Sequence, residues 1–145
     1  MPTTRRSRTI AASPEEIWRV VADAHHLPRW WPRVTRVEAV DDEVFTLVLA
    51  TDKGRGVRAD YRVLESDAPR LRAWEQEVAG TPFEGILARA RTEVALEPVA
   101  DVTQVTITLR QRMRGLARLG GFLIRRAGRR QLDEALDGLE AIVVD

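Results

Sequence analysis

Uncharged polar residues occupy otherwise apolar positions in the central part of the 145-residue chain. Gln76 has the same parity as Trp74 and Val78, so in a strand all three side chains face the same side. The same argument applies to three further residues, Tyr61, Thr92 and Gln111. A buried polar group costs about 1 to 3 kcal/mol unless it finds a partner. These residues therefore either orient the carbonyl or hydroxyl of a ligand in an apolar cavity, or bond to the backbone and to buried water.

Large apolar side chains accompany these polar residues, and each aromatic ring brings a large area that must be buried. The rings either fill the core or line a pocket. With the polar residues they form the predicted ligand-binding set: Trp31, Phe45, Tyr61, Trp74, Gln76, Phe83, Thr92, Gln111, Met113 and Phe122.

Residues for other kinds of chemistry are few. The chain has no cysteine, and its two histidines, His25 and His26, are adjacent, so they do not easily present both rings to one metal ion. We found no nucleophile elbow, phosphate-binding loop or dinucleotide fingerprint. The sequence therefore predicts no metal site and no cofactor, and it identifies no catalytic residue.

The N-terminal segment predicts a strand followed by two short helices. Ser13 is a candidate N-cap, and Pro14 suits the first helical position because its missing N–H donor has no intrahelical partner there. This helix is expected to end near Ala24. A second short helix is expected from His25 to Trp31, before Pro32.

From Val34 to Met113 the apolar residues recur with period two, which predicts six strands joined by hairpins. One face of these strands is apolar and the other is polar, as in an antiparallel sheet with one covered face. With the N-terminal strand, the expected sheet has seven strands.

The last thirty or so residues return to helical periodicity, with Leu132, Leu136, Leu139 and Val143 on one stripe. An upstream stripe points in a different direction and contains Leu116, Leu119, Leu123 and Ala127. Either the helix breaks near Gly120-Gly121 or Gly128, or its first half is apolar around most of its circumference.

These elements predict an α+β fold in which a curved seven-stranded antiparallel sheet wraps around one long C-terminal helix. A single helix does not fill the space under so large a sheet, so a cavity is expected between them. The length fits a single domain over residues 1–145.

Charge and hydropathy limit the partners and the location. The formal net charge is only +1, which argues against nucleic-acid binding by the chain as a whole. We see no secretory signal, and the apolar runs are far shorter than the roughly 20 residues of a membrane span. A cytoplasmic protein is the expectation.

The order of elements resembles the helix-grip fold of the START-related superfamily, also called SRPBCC or polyketide cyclase/dehydrase-like. The resemblance covers nearly the whole chain and is carried by the segments 12–18, 27–32, 74–83 and 114–116, which include Ser13-Pro14-Glu15-Glu16-Ile17-Trp18 and Leu27-Pro28-Arg29-Trp30-Trp31-Pro32. It implies a pocket for lipids, polyketides, quinones, sterols or hormones, and in a minority of members cyclisation or dehydration. It does not imply a particular substrate.

A basic block precedes and enters the terminal helix, and it indicates a different function. Its members are Arg112, Arg114, Arg118, Arg125, Arg126, Arg129 and Arg130. The helix thus begins basic and ends acidic, against the preference of its dipole, which indicates that other interactions fix these charges. Such a segment is either a solvated face or a surface for an anionic membrane, a protein partner or a second copy of the chain.

The leading hypothesis is binding of a small hydrophobic molecule, such as a lipid, polyketide or isoprenoid, oriented by the four polar residues named above. The first alternative is a polyketide cyclase or dehydratase acting in the same cavity. The second is peripheral membrane contact or partner docking through residues 116–130.

Overall fold

A computed structural model describes residues 3–51, 54, 56–115 and 121–144, with side chains described except at 121–124. The strands are β1 (Thr3–Ile10), β2 (Val34–Glu38), β3 (Val44–Ala50), β4 (Gly56–Asp67), β5 (Leu71–Gln76), β6 (Leu87–Val99) and β7 (Val102–Met113). The α-helices are α1 (Pro14–Val21), α2 (Leu27–Trp30) and α3 (Gly121–Val143), and short 3-10 helices span Ala24–His26 and Pro82–Gly85.

The start of α1 follows the capping pattern in the sequence. The Glu16 backbone N–H donates to the Ser13 hydroxyl at 3.2 Å, and Pro14 is the first helical residue. The helix ends at Val21, earlier than expected, because Asp23 caps a new 3-10 turn by accepting from the His25 backbone N–H at 3.0 Å. The expected second helix is accordingly divided into this turn and the single turn of α2.

The seven predicted strands form one antiparallel sheet in the order β1-β7-β6-β5-β4-β3-β2. Register shifts interrupt the pairing of β4 with β5 at Val63/Glu65 and of β6 with β7 at Leu87/Arg89. Bulges of this kind bend a strand and increase its twist. They curve the sheet around α3, which packs on its concave face.

The long helix α3 runs through Gly128 without a break, which rules out one of the three alternatives, a break at that residue. A Cβ atom at Gly128 would lie 3.0 Å from Thr4 Oγ1, and the missing side chain lets the helix approach β1 closely. The other proposed break, at Gly120-Gly121, adjoins residues 116–120, which lie outside the described residues. So do the side chains of the upstream stripe except Ala127, which is exposed.

The C-terminal half of α3 anchors the core. Leu132, Leu136 and Leu139 are completely buried against the sheet and α2. Val143, the last member of the predicted stripe, is half-buried at the edge of the same cluster. Burying each leucine contributes about 1.5 to 3 kcal/mol, so this half of the helix is held firmly in place.

Ion pairs between α3 and β1 account for two acids in the middle part of the helix. Arg6 Nε donates to Asp133 Oδ1 at 2.8 Å, and Arg8 Nη1 lies 2.5 Å from Asp137 Oδ1. The two aspartates are one helical turn apart, and the two arginines project from the same side of β1. Both aspartates lie more than one turn before the helix end at Val143, so the helix dipole has little effect on them.

None of the helices within the described part of the chain combines the length and apolar character that crossing a lipid bilayer requires.

Substituting Gly138→Ala should destabilise the fold by about 1 to 3 kcal/mol, because overpacking a tight contact forces the backbone to shift. A Cβ at this position would lie 2.7 Å from Trp30 O and 2.8 Å from Trp30 Cα, and both are backbone atoms that have little freedom to move. Urea unfolding measures the change.

The matched control is Gly128→Ala, whose new methyl group meets only the rotatable side chain of Thr4. It should lose less stability than Gly138→Ala. A Gly138→Ala protein as stable as the parent, or stabilised by about 1 kcal/mol as helix propensity alone predicts, would contradict the contact.

Candidate ligand-binding chamber

A cavity of about 390 Å³ lies between the concave face of the sheet and α3, and we call it the inner chamber. This volume is within the range of about 300 to 1,000 Å³ that is typical of small-molecule sites. The described residues that line it are Leu27, Trp31, Leu47, Leu49, Tyr61, Trp74, Gln76, Phe83, Ile86, Leu87, Ala90, Thr92, Leu109, Gln111, Met113, Ala127, Gly128 and Gln131.

An outer hollow of about 950 Å³, which we call the vestibule, adjoins the inner chamber. The vestibule is lined by Trp31, Pro32, Arg33, Leu49, Ala50, Thr51, Val57, Tyr61, Phe83, Arg126, Ala127, Arg130, Gln131 and Glu134. Tyr61, Phe83 and Ala127 are among the residues that line both spaces, so the two are adjacent.

Strand register brings the polar and aromatic residues of the inner chamber together. Tyr61 on β4 pairs with Gln76 on β5, and Trp74 pairs with Thr92 on β6. Alternate residues of a strand face the same side, so Trp74 and Gln76 both point into the concave face. Strand pairing therefore brings these distant parts of the chain together, and the period-two pattern turns their side chains to the same face.

Aromatic rings form a continuous series at one end of the chamber. Trp31 and Trp74 meet edge to face with ring centroids 5.8 Å apart, and Trp74 meets Phe45 in the same way at 6.2 Å. Phe45 stacks on Tyr61 with centroids 5.4 Å apart and the planes nearly parallel. Such pairs add about 0.5 to 1.5 kcal/mol each beyond burial, so the contacts between neighbouring rings stabilise this wall.

The Gln76 side chain carries an unsatisfied polar group. Its Nε2 atom is buried and has no hydrogen-bond partner in the described part of the protein. Leaving a buried donor unpaired costs about 1 to 3 kcal/mol. An acceptor atom of a molecule in the chamber would remove this cost.

Tyr61 presents a neutral phenol to the same space. Burial raises the pKa of Tyr61 to about 12, because the phenolate would lose its hydration in this apolar setting. At physiological pH the hydroxyl is protonated, as that of an ordinary tyrosine is, and it can donate a hydrogen bond to a carbonyl or hydroxyl oxygen.

Charge is separated between the two spaces. The described residues that line the inner chamber include no Asp, Glu, Lys, Arg or His. The vestibule, in contrast, is lined by Arg33, Arg126 and Arg130 and by one acid, Glu134. Arg130 Nε lies 3.3 Å from Glu134 Oε1, so that acid is already paired with one of the arginines.

The inner chamber also separates two apolar clusters. The main core includes Leu47 and Trp74, whereas a satellite cluster contains Val78, Leu87 and Ala90. Members of both clusters line the chamber, which thus occupies the gap between them. A hydrophobic molecule in the chamber would contact both clusters.

Most residues of the predicted set line the inner chamber: Trp31, Tyr61, Trp74, Gln76, Phe83, Thr92, Gln111 and Met113. Phe45 is not among the lining residues. It is 3% exposed and supports the ring of Tyr61 from the neighbouring strand. The side chain of Phe122 lies outside the described residues.

Sequence reasoning missed several lining residues, among them Leu49, Ala90 and Gln131. Leu49 and Ala90 have the inward parity of their strands but are ordinary apolar residues, which the pattern assigns to the core. Gln131 follows Ala127 by one helical turn, and that spacing was the available signal. The histidines lie elsewhere, with His25 Nδ1 2.8 Å from Asp23 Oδ1 on the exposed turn before α2.

Spectroscopic titration can test the environment of Tyr61 directly, because it is the only tyrosine in the chain. Phenolate absorbance should titrate at about 12 in the folded protein and at about 10 in urea. Between these two pKa values only the unfolded state loses the phenol proton. The free energy of unfolding should therefore fall as the pH rises from 10 to 12. A Tyr61→Phe protein should lack this contribution, and a folded-state midpoint near 10 would contradict the burial of the phenol.

Solved structures of other proteins have the same fold as this chain. The chain is similar to the START superfamily protein from Mycobacterium smegmatis, with a TM-score of 0.80 and 15% identity over 97% of this chain and 96% of that one. It is also similar to a protein from Thermus thermophilus, with a TM-score of 0.78 and 24% identity over 99% and 97% of the two chains. A third similar structure is the di-domain ARO/CYC BexL from the BE-7585A biosynthetic pathway, with a TM-score of 0.78 and 24% identity over 97% of this chain and 46% of that one.

At these identities the likeness establishes the fold alone, and it confirms the expected helix-grip architecture. No curated protein sequence matches the chain significantly. A family model described as "Polyketide cyclase / dehydrase and lipid transport" matches residues 1–144. The chain therefore belongs to the polyketide cyclase/dehydrase and lipid transport family.

Proposed function

We propose that the protein binds a small hydrophobic molecule carrying a carbonyl or hydroxyl group, such as a lipid, polyketide or isoprenoid, in the inner chamber. The observation that carries this proposal is a cavity of about 390 Å³ that lies between two apolar clusters and whose described lining residues carry no charge. Apolar walls around a void lack the dispersion contacts that a packed interior has. A hydrophobic guest supplies those contacts and gains about 25 cal/mol for each Å² of its apolar surface that leaves water.

The polar groups of the chamber supply orientation. Gln76 Nε2 is a donor without a protein partner in the described part of the chain, and Tyr61 lies directly across the strand pair from it. Two donors on neighbouring strands can both approach one oxygen atom. A ligand with a carbonyl at this position is favoured over a pure hydrocarbon, which would leave the amide unsatisfied.

Family membership supports the same proposal. The family description names lipid transport as well as cyclase and dehydrase activity. The similar structure BexL is named as an ARO/CYC protein of a biosynthetic pathway. Lipids, which the family description names, have a large apolar surface of the kind that an apolar chamber would bury.

The second candidate function is cyclisation or dehydration of a polyketide-like substrate, and the observation behind it is the phenol of Tyr61 in the chamber. This phenol lines the inner chamber and is protonated at physiological pH, so it can stabilise negative charge that develops on a carbonyl oxygen. In this scheme the chamber walls fold a flexible substrate and Tyr61 polarises the reacting carbonyl. The test is turnover of a poly-β-ketone by the parent and by Tyr61→Phe. Equal turnover would remove Tyr61 from the chemistry, and binding without turnover would leave the first function.

Filling the inner chamber should weaken binding. Ala90 lines the chamber from β6, and Ala90→Leu places a larger side chain in it. We expect affinity for 1-tetralone, a small bicyclic ketone, to fall by about tenfold or more, since each lost 1.4 kcal/mol of ligand burial is a factor of ten. Calorimetric titration measures the affinity, and emission from Trp31 and Trp74 reports contact with the chamber wall.

The matched control for the filled chamber is Ala95→Leu, on the same strand but with the opposite parity. It should bind 1-tetralone as the parent does. A second filling variant, Ala127→Leu on the exposed part of α3, guards against misfolding of the first. Unchanged affinity in both filled proteins would place the ligand elsewhere, and no binding by the parent to any lipid, polyketide or isoprenoid probe would end the proposal.

Replacing Gln76 should raise the stability of the unliganded protein and lower its affinity for a ketone. Gln76→Leu removes the unsatisfied amide, so the free energy of unfolding of the unliganded protein should rise by about 1 kcal/mol or more. Affinity for 1-tetralone should fall about fivefold through loss of one hydrogen bond, whereas affinity for tetralin, the hydrocarbon analogue, should not fall. Gln104→Leu, at an outward position of β7, is the control. Equal losses for the ketone and the hydrocarbon would contradict a directing role for Gln76.

A further inference from the structure

We propose that the ligand is an amphiphile whose uncharged body occupies the inner chamber and whose anionic end lies in the vestibule beside Arg126. This inference rests on the proposed function and specifies the class of molecule that the site would take. It follows from the separation of charge between two adjoining spaces.

The inner chamber rejects ionised groups. Its described lining offers apolar side chains, amides, one threonine hydroxyl and a neutral phenol, but no side chain of opposite charge. Moving an ion out of water without a paired charge costs far more than a hydrophobic body gains by burial. A charged group on the ligand must therefore lie outside this space.

The vestibule has the charges that the chamber lacks. Arg33 lies in the turn before β2, while Arg126 and Arg130 stand one turn apart on α3, so cations line the vestibule from two different elements. Glu134 is the one described acid on this lining, and it pairs with Arg130. Arg126 forms no ion pair with any carboxylate in the described parts of the chain. Its exposed guanidinium is a site for a carboxylate or phosphate.

Two residues of α3 line both the inner chamber and the vestibule, which places the two spaces side by side along this helix. Ala127, next to Arg126, lines both the chamber and the vestibule, and Gln131 does the same one turn further on. A molecule that crosses from the chamber at Ala127 thus passes directly beside Arg126. In this proposal one extended amphiphile occupies both spaces, with its body and its anionic end on the two sides of Ala127.

The experiment compares three probes with the same ten-carbon chain: 1-decanol, decanoate and decyl phosphate. Their affinities for the full chain are measured by calorimetric titration at neutral pH, at low and high salt. The test variant is Arg126→Gln, and the matched control is Arg129→Gln, which removes the same charge from an exposed position of α3 that does not line either space.

Arg126→Gln should weaken binding of the anionic probes about two- to fivefold, as expected for an exposed ion pair. Affinity for 1-decanol should be unchanged, and Arg129→Gln should leave all three affinities close to those of the parent. The preference for the anionic probes should also diminish at high salt, because ions screen the arginine. An effect on decanoate alone or on decyl phosphate alone supports the site and identifies its anion as a carboxylate or a phosphate.

Two results would contradict an anionic end beside Arg126: equal losses of affinity in Arg126→Gln and Arg129→Gln, or no loss for either anionic probe. The proposed function would remain intact in both cases if 1-decanol still binds. Failure of all three probes, together with failure of 1-tetralone, would instead overturn the proposed function itself. The two failures are therefore distinguishable.

Discussion

The contact between the C-terminal half of α3 and the concave face of the sheet determines the rest of the structure. Leu132, Leu136 and Leu139 are completely buried there, and Gly138 brings the helix against the backbone of α2. One helix of limited width cannot fill both ends of a curved seven-stranded sheet. The C-terminal half of α3 is buried against the sheet, so the unfilled space lies beside the N-terminal half of the helix. There Ala127 and Gln131 line the inner chamber.

This arrangement explains the division between stability and recognition along a single element. Apolar burial and the ion pairs Arg6–Asp133 and Arg8–Asp137 hold one half of α3 to the core and to β1. The other half carries the arginines of the vestibule. The same sheet face that packs Leu136 thus continues into a surface of aromatic rings and amides that borders the inner chamber.

Much of this could be predicted from the sequence, because local patterns determine local structure. Parity along the strands placed Gln76 and Thr92 on the concave face, and the capping pattern at Ser13 placed the start of α1. Parity left Trp74 ambiguous, because Leu71 and Ala73, which have the opposite parity, are also apolar. The strand count and the fold class followed from period-two alternation between turn residues. These features depend on neighbours within a few positions.

What could not be predicted depends on contacts between distant elements. Gly128 looked like a helix breaker, but it is the position where α3 touches Thr4, and close packing outweighs helix propensity there. Phe45 has the inward parity of its strand, yet the stack on Tyr61 keeps its ring out of the lining. Likewise, the acids of α3 could not be matched to Arg6 and Arg8 without knowing that β1 lies beside the helix.

The central claim is that a hydrophobic molecule enters the space between sheet and helix, and intermolecular nuclear Overhauser effects test it most directly. With 1-tetralone bound to the isotopically labelled chain, we predict effects from ligand protons to the methyl groups of Thr92, Leu109 and Met113, and none to Leu136. Effects confined to methyl groups on the outer surface, with none to the three chamber residues, would contradict the account.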